Sequence, residues 1–148
     1  MINIFRKKEK LNIIKNAPLH DEDFQNARNI ILNIHKITAK KIAEGYGPFY
    51  AEIYDENGNF VAGEANSVMK NTCSHLHAEI NTIAAAERKF NTYDLGKYNL
   101  TMYVNAEPCI MCVGASMWSG IKTIYYSVPS CDVEKITGFD EGFKPNWQ

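Results

Sequence analysis

Two short motifs constrain this 148-residue chain more than any other feature. His77-Ala78-Glu79 is followed, after 28 intervening residues, by Pro108-Cys109-Ile110-Met111-Cys112. The two motifs together supply three zinc ligands, which are His77, Cys109 and Cys112. Structural zinc sites use four protein ligands, whereas catalytic sites use three and keep the fourth position for water. The count therefore predicts a hydrolytic site that holds one Zn²⁺ per chain.

The spacing of the second motif indicates how its sulfurs are presented. Pro108 suits the start of a helix, because its φ angle is fixed and its missing N–H is not needed there. A helix over residues 108–118 places Cys109 and Cys112 on one face, where one ion reaches both sulfurs. The positive end of the helix dipole also favours the thiolate form of both residues.

Glu79 distinguishes a catalytic zinc site from a structural one. A structural site would only have to tolerate an unligated carboxylate, whereas a hydrolytic site needs a proton carrier. His77 and Glu79, two residues apart on a regular helix, would point to nearly opposite sides. We therefore expect His77 to lie at the helix edge with non-helical backbone angles, so that both side chains reach one pocket.

Two other interpretations of these motifs are a structural zinc ribbon and a redox-active C-x-x-C pair. A ribbon needs a fourth ligand, and the remaining donors Cys73, His75 and Cys131 do not stand in a second paired motif. A redox pair leaves His77 and Glu79 without a role. Both interpretations explain fewer of the residues than a hydrolytic site does.

The composition is typical of one enzyme domain over residues 1–148. Hydrophobic residues make up 45% of the chain, enough to fill a core, and charged residues make up 22%. Residues 1–19 form a basic N-terminal extension, which is typical of a solvated arm. Residues 130–148 form a polar C-terminal segment that we expect to cover the active site. The net charge of −1 and the lack of a long basic stretch favour a small substrate over a nucleic acid.

Targeting signals and membrane spans are not evident in the sequence. The first apolar runs are short and broken by basic residues, and no stretch approaches the roughly 20 apolar residues of a membrane span. Thiolate ligands suit a reducing compartment. We therefore expect a cytoplasmic protein.

Hydrophobic periodicity predicts alternating strands and helices, and hence an α/β fold. The predicted elements are a helix from Asp21 to near Gly45, strands over 49–54 and 59–65 joined by a hairpin turn, a helix over 76–90, a strand over 100–105, a helix over 108–118 and a strand over 121–128. Strands separated by helices pair in parallel, so the last two strands should be parallel. The helix over 108–118 is apolar nearly all round, which is typical of burial in a subunit contact or under the sheet. The first of these alternatives predicts a homo-oligomer such as a homodimer.

With these motifs in this order, residues 21–147 resemble the cytidine deaminase superfamily, whose zinc enzymes carry the H-x-E and P-C-x-x-C signature. The resemblance implies a three-layer α/β/α sandwich with a mixed five-stranded sheet, in which a β-hairpin is followed by β-α-β-α-β. Within the superfamily the sequence is most similar to bacterial guanine deaminases. The similar segments are Gly47-Pro48-Phe49, Ala65-Asn66-Ser67, Met117-Trp118 and Gly138-Phe139-Asp140-Glu141.

The resemblance also implies a substrate pocket. Its candidate residues are Phe49, Asn66, Ala78, Trp118, Asp140 and Glu141. Asn66 would hydrogen-bond the base, Phe49 and Trp118 would contact its rings, and Glu141 would supply a second acid. Each has a structural alternative, since Asn66 can end a strand, the two aromatic residues can pack in the core, and the acidic pair can form a solvated turn.

The predicted function is hydrolytic deamination of a small aminated nucleobase or nucleoside, as in guanine deaminases of purine metabolism. Zinc hydroxide attacks the amino-bearing ring carbon, ammonia leaves, and Glu79 carries the protons. The alternatives are a cytidine or dCMP deaminase, a tRNA adenosine deaminase, and a catalytically silent zinc scaffold. A tRNA enzyme needs a basic face, which this acidic body does not offer. The expected partners are the small substrate, water and a second copy of the chain, but neither membrane nor nucleic acid.

Overall fold

A long helix and a β-hairpin open the described part of the chain, residues 21–139 of the computed structural model. Helix α1 (Asp21–Ala43) ends ahead of Gly45, whose φ of 86° lies in the left-handed region that glycine tolerates. Strands β1 (Tyr50–Tyr54) and β2 (Phe60–Ala65) pair antiparallel. The Asp55 carboxylate holds the turn between them by accepting two backbone N–H groups at 2.9 and 2.8 Å. The predicted helix end, strands and turn are confirmed.

Helices and strands then alternate through the rest of the described residues. They are α2 (Val68–Asn71), α3 (Ala78–Phe90), a 3₁₀ turn (Gly96–Tyr98), β3 (Thr101–Ala106), α4 (Ile110–Ser119), β4 (Thr123–Val128) and α5 (Ser130–Thr137). The sequence did not predict the short helices α2 and α5. The basic extension 1–19 and the residues Asp140 and Glu141 lie outside the described residues.

The sheet has the strand order β2-β1-β3-β4. Strand β1 is antiparallel to both of its neighbours, whereas β3 and β4 are parallel, as predicted from the helix between them. The expectation of five strands is wrong for residues 21–139, which contain four. After β4 the chain turns at Pro129 into helix α5, so no further strand is added within this range. The fold is α/β with a mixed sheet, and the three-layer arrangement stays a prediction.

Alternate side chains of the central strands pack against different helices. Ala51 and Ile53 of β1 belong to a core cluster with Ile83 of α3, and both strand residues are fully buried. Tyr50 belongs to a second cluster with Ile34 of α1. The period of two along the strand therefore divides the core between α1 and α3. Helix α3 also begins at the zinc motif, so its packing on the sheet sets the position of that motif.

Glu52 is a buried carboxyl group among the residues that face α1. Its side chain accepts a hydrogen bond from the Tyr54 hydroxyl at 2.9 Å, and only 3% of the residue is exposed. Burial raises the pKa of Glu52, and the Tyr54 hydrogen bond opposes the shift. An ionised Glu52 is therefore a cost to the folded state.

None of the helices within residues 21–139 is long and apolar enough to cross a membrane.

Candidate zinc centre and substrate pocket

The two motifs converge on one point in the structure. Nδ1 of His77 lies 3.7 Å from Sγ of Cys109 and 3.6 Å from Sγ of Cys112, and the two sulfurs are 3.6 Å apart. Tetrahedral zinc with Zn–S of about 2.3 Å and Zn–N of about 2.0 Å requires separations of about 3.8 Å between sulfurs and about 3.5 Å between sulfur and nitrogen. The three donor atoms therefore fit one Zn²⁺, as predicted.

Two of the ligands occupy the same kind of position in their helices. His77 precedes α3 with φ −65° and ψ 158°, and Cys109 precedes α4 with φ −69° and ψ 169°. Neither side chain caps its own helix, because both turn toward the shared metal position. The predicted non-helical backbone of His77 is confirmed.

The predicted start of the second helix at Pro108 is wrong, because α4 begins at Ile110. Cys109 adopts extended backbone angles, which exclude it from the first turn and leave Pro108 before the helix. Cys112 is the third residue of α4, so the two sulfurs approach the metal position from an extended residue and a helical one. Extended angles are usual for the residue that precedes a helix, so a rule based on the proline alone misplaces the start of α4.

The electrostatics of the two cysteines favour a cation between them. The Cys112 thiol contacts Cys109 and holds the pKa of Cys109 down at about 4. The same contact, together with burial, raises the pKa of Cys112. Two adjacent thiolates repel each other, and a divalent cation removes that penalty. The donor set therefore suits Zn²⁺.

Glu79 is the second residue of α3 and is 5% exposed. Burial raises its pKa from 4.5 to about 7, and the Cys109 charge adds to the shift. Its own backbone N–H, the charge of His77 and a hydrogen bond with Cys112 pull in the other direction. The carboxyl group thus lies beside a zinc ligand and titrates near neutral pH. That combination is what a general acid and base needs.

Asn66, the predicted base contact, directly follows strand β2 and is buried. Its backbone N–H donates to Phe49 O at 2.9 Å, and its own carbonyl accepts the Gly47 N–H at 2.9 Å. Its side-chain Oδ1 accepts the Val68 N–H at 3.2 Å. A Cβ atom at Gly47 would lie 2.7 Å from Oδ1 of Asn66, so this close approach requires glycine.

The predicted aromatic contact Phe49 lies near Phe139, a residue of the C-terminal segment. Its ring centroid lies 6.3 Å from that of Phe139, with the two planes tilted by 53°. In the sequence Phe139 directly precedes the predicted acidic pair Asp140 and Glu141, which lies outside the described residues. Ala78 is fully buried at the start of α3 and packs in the core. The roles of these residues in substrate binding stay predictions.

Trp118 lies near the C-terminal end of α4, whereas the zinc ligands Cys109 and Cys112 lie at its N-terminal end. It is 79% exposed and lines a groove of about 400 Å³ between α3 and α4, together with Tyr93 and Ile80. Because Trp118 is so exposed, the alternative that it is a core aromatic does not hold within residues 21–139. A contact between Trp118 and a base stays a prediction.

Several polar residues that support this site were not singled out in the sequence. Asn105 accepts the Tyr50 N–H and donates to Pro48 O, each at 3.0 Å, so it fixes the loop before β1. The Glu107 carboxylate accepts hydrogen bonds from the backbone N–H and the hydroxyl of Ser130, each at 2.9 Å. These bonds connect the residues just before Cys109 to α5. A glutamate directly before the Pro-Cys motif was a usable signal. The role of Asn105 depends on strand pairing and had no local signal.

Fold and site together define a zinc-binding α/β protein whose metal centre has three protein ligands and a neighbouring buried acid. The chain belongs to the cytidine and deoxycytidylate deaminase zinc-binding family, whose model matches residues 26–128. This result confirms the resemblance seen in the two motifs.

Similar proteins carry several substrate names. The guanine deaminase of Bacillus subtilis is 33% identical over 97 residues, which cover 66% of this chain and 60% of that protein. A probable cytosine deaminase of Schizosaccharomyces pombe is 30% identical over 84% of this chain and 71% of its own length. The solved guanine deaminase of Nitrosomonas europaea has a TM-score of 0.77 and 30% identity, covering 93% of this chain and 82% of that one. The match to the Bacillus protein therefore leaves more than a third of that relative unmatched.

Proposed function

We propose that this protein is a zinc-dependent hydrolytic deaminase of a small aminated nucleobase, with guanine as the favoured substrate. The observation that carries the proposal is Glu79, a buried carboxyl group that lies beside three side chains able to hold one metal ion. When bound by His77, Cys109 and Cys112, Zn²⁺ would supply the Lewis acidity that makes water a nucleophile at neutral pH.

Glu79 has a defined part in this chemistry. It accepts a proton from the attacking water and delivers it to the ring nitrogen next to the amino-bearing carbon. It then carries the second proton of that water to the amino group, which leaves as ammonia. One C–O bond forms and one C–N bond breaks, and Glu79 returns to its starting state. A pKa near neutrality suits a group that must both take and give protons.

Asn66 and Phe49 support a planar heterocycle as the substrate. The Oδ1 atom of Asn66 accepts the Val68 N–H, which orients the amide so that Nδ2 is its donor. A guanine O6 or N7 is a suitable acceptor for such a donor. Phe49 is bonded to Asn66 through the backbone, and its ring lies near that of Phe139; we propose that one of these rings stacks on the base. Asp140 and Glu141 follow Phe139, and we propose Glu141 as the second acid.

The comparisons favour a purine over a pyrimidine. Guanine deaminases are among both the relatives and the solved neighbours, and a structure that is 36% identical holds 2,6-diaminopurine. Cytosine deamination is the second candidate, because the Schizosaccharomyces relative covers 84% of this chain. Relatives that deaminate tRNA also occur. A tRNA substrate needs many phosphate contacts, and a net charge of −1 does not favour them.

Ammonia release tests the proposal directly. The panel comprises guanine, adenine, cytosine, their nucleosides, dCMP and isocytosine, with zinc-loaded protein and Glu79→Gln alongside. We expect release from guanine that is lost in Glu79→Gln and kept in Glu56→Gln, which makes the same change in the exposed hairpin turn. Release from cytosine or cytidine alone would replace guanine as the substrate. Turnover retained in Glu79→Gln would overturn the mechanism, and a silent panel would favour a macromolecular substrate or a silent scaffold.

We also propose that the groove between α3 and α4 is the contact of a homodimer. Its large apolar side chains are exposed, with Trp118 at 79% and Tyr93 at 86%. Monomers rarely leave such neighbouring aromatic residues in water, and aromatic residues are enriched where subunits meet. A homodimer would bury them against a second copy. The cytoplasmic location expected from the thiolate ligands stays a prediction.

A further inference from the structure

Asn81, on helix α3, joins two loops. One is residues 65–67 around Asn66, the proposed base contact, and the other is residues 76–77, which end at the zinc ligand His77. We propose that Asn81 is a positioning residue that holds Asn66 at a fixed distance from His77 and Glu79. The inference rests on the proposed function, because it takes Asn66 to be the base contact. Asn81 itself touches neither base nor metal in this proposal.

The hydrogen bonds of Asn81 reach both loops from one atom. Its Nδ2 donates to the Ala65 carbonyl at 2.9 Å and to the Ser67 hydroxyl at 3.0 Å, the two residues that flank Asn66. It also approaches the carbonyl of Leu76 at 3.2 Å, immediately before the zinc ligand His77. The two amide hydrogens are shared among these three acceptors.

The two loops are also bonded to each other. The Ser67 N–H donates to the Leu76 carbonyl at 2.9 Å, and the backbone N–H of Asn81 donates to the His77 carbonyl at 3.0 Å. Ser67, Leu76 and Asn81 therefore form a closed ring of hydrogen bonds. Asn66 is attached to one side of this ring and His77 to the other.

Helix α3 is itself fixed to the sheet at the next residue. The Thr82 hydroxyl is fully buried, lies 2.7 Å from the Ala78 carbonyl and 3.2 Å from the Ala51 carbonyl, and accepts the Glu64 N–H at 3.1 Å. Asn81 thus anchors the two loops to a rigid element. The segment 68–75 between them includes Thr72 at a φ of 49°, which a β-branched residue rarely adopts. The ring therefore joins the residues just before this segment to Leu76, which directly follows it.

Only a side chain of this length with an NH₂ group meets all three acceptors. Aspartate has the same shape but presents oxygens to two carbonyls and a hydroxyl, so two of the contacts become repulsive. Alanine removes all three contacts, so the three acceptors lose the Asn81 amide as a donor. A base that must reach Asn66 and Glu79 together would then bind less well, because the separation of its two contacts would vary.

The experiment compares zinc-loaded wild type with Asn81→Asp, Asn81→Ala and Ser67→Ala. Asn57→Asp is the matched control, since it adds the same charge in the exposed hairpin turn. In both Asn81 variants we expect KM for the substrate base to rise about tenfold, while kcat and zinc content stay nearly unchanged. Ser67→Ala removes one acceptor and should raise KM less. A purely structural role would lower the active fraction, and hence the apparent kcat, without moving KM.

Hydrogen–deuterium exchange gives a readout that does not depend on activity. We expect the backbone amides of residues 66–77 to exchange faster in the Asn81 variants and in Ser67→Ala than in wild type or Asn57→Asp. Unchanged exchange would overturn the inference, as would faster exchange with an unchanged KM. If an Asn81 variant fails to fold, Ser67→Ala decides by the same two criteria. A wild type that releases no ammonia refutes the proposed function alone, and the exchange data still accept or reject the ring.

Discussion

The close approach of Gly47 to Asn66 yields a prediction whose size follows from the structure. In Gly47→Ala the new Cβ lies 2.7 Å from Oδ1 and 2.9 Å from Cγ of Asn66. Ordinary contact begins at 3.4 Å, so the amide must retreat by about 0.7 Å. Asn66 is held by backbone hydrogen bonds to Phe49 and Gly47, and the side chain therefore has to rotate away from Val68. Overpacking of this kind costs about 1–3 kcal/mol of unfolding free energy.

The same displacement affects substrate binding. A hydrogen bond from Asn66 to a base at about 2.9 Å would lengthen to about 3.6 Å, which is no longer a hydrogen bond. We therefore expect KM to rise about tenfold in Gly47→Ala. The assays are urea denaturation at a fixed zinc concentration and initial rates of ammonia release over a range of base concentrations.

A double-mutant cycle with Asn66→Ala provides the control. Without the amide, the nearest Asn66 atom that the new methyl group meets is Cβ at 3.2 Å, which requires a shift of only a few tenths of an ångström. Gly47→Ala should then cost at least about 1 kcal/mol less than in wild type. Equal costs in the two backgrounds would refute the steric reasoning.

Four further predictions concern other parts of the molecule. Glu79→Gln should keep about one zinc per chain by elemental analysis while kcat falls about 10²- to 10⁴-fold, and loss of the metal would contradict its role as a non-ligand. Cys109→Ser should lower both zinc content and unfolding free energy, because a serine hydroxyl does not ionise as a thiolate does. Glu52→Gln should stabilise the fold at pH 7, because the raised pKa of Glu52 makes its ionised form costly in the folded state. This gain in unfolding free energy over wild type should shrink as the pH falls toward 4.5, where the carboxyl group is protonated in the unfolded state as well. Urea denaturation at several pH values measures the gain, and a gain that does not change with pH would contradict the prediction. Trp118→Glu should convert a dimer into monomers in sedimentation experiments, and a wild type that is monomeric at micromolar concentration would refute the proposed contact.

The secondary structure was largely readable because its signals are local. The hairpin turn depends on Asp55 and its close neighbours, and the end of α1 depends on Gly45. The start of α4 was predicted two residues too early, because the proline rule places Pro108 in the first turn, whereas Cys109 has the extended backbone of a residue that precedes a helix. Within residues 21–139 the number of strands was overestimated, because five strands were expected from the family resemblance, and the chain forms α5 directly after Pro129.

The sequence by itself determined the metal and the kind of chemistry, since the ligand types and the extra glutamate are residue identities within two short motifs. It also indicated Asn66 and Phe49, but only through their resemblance to a family. The tertiary structure decided that Asn66 faces Gly47 without room for a methyl group, and that Asn81 bonds loops on both sides of the segment 68–75. The tertiary structure also decided that Trp118 is exposed near the C-terminal end of α4. These features depend on how strands pair and how α3 packs on the sheet, and such long-range contacts leave no periodic or local signal in the chain.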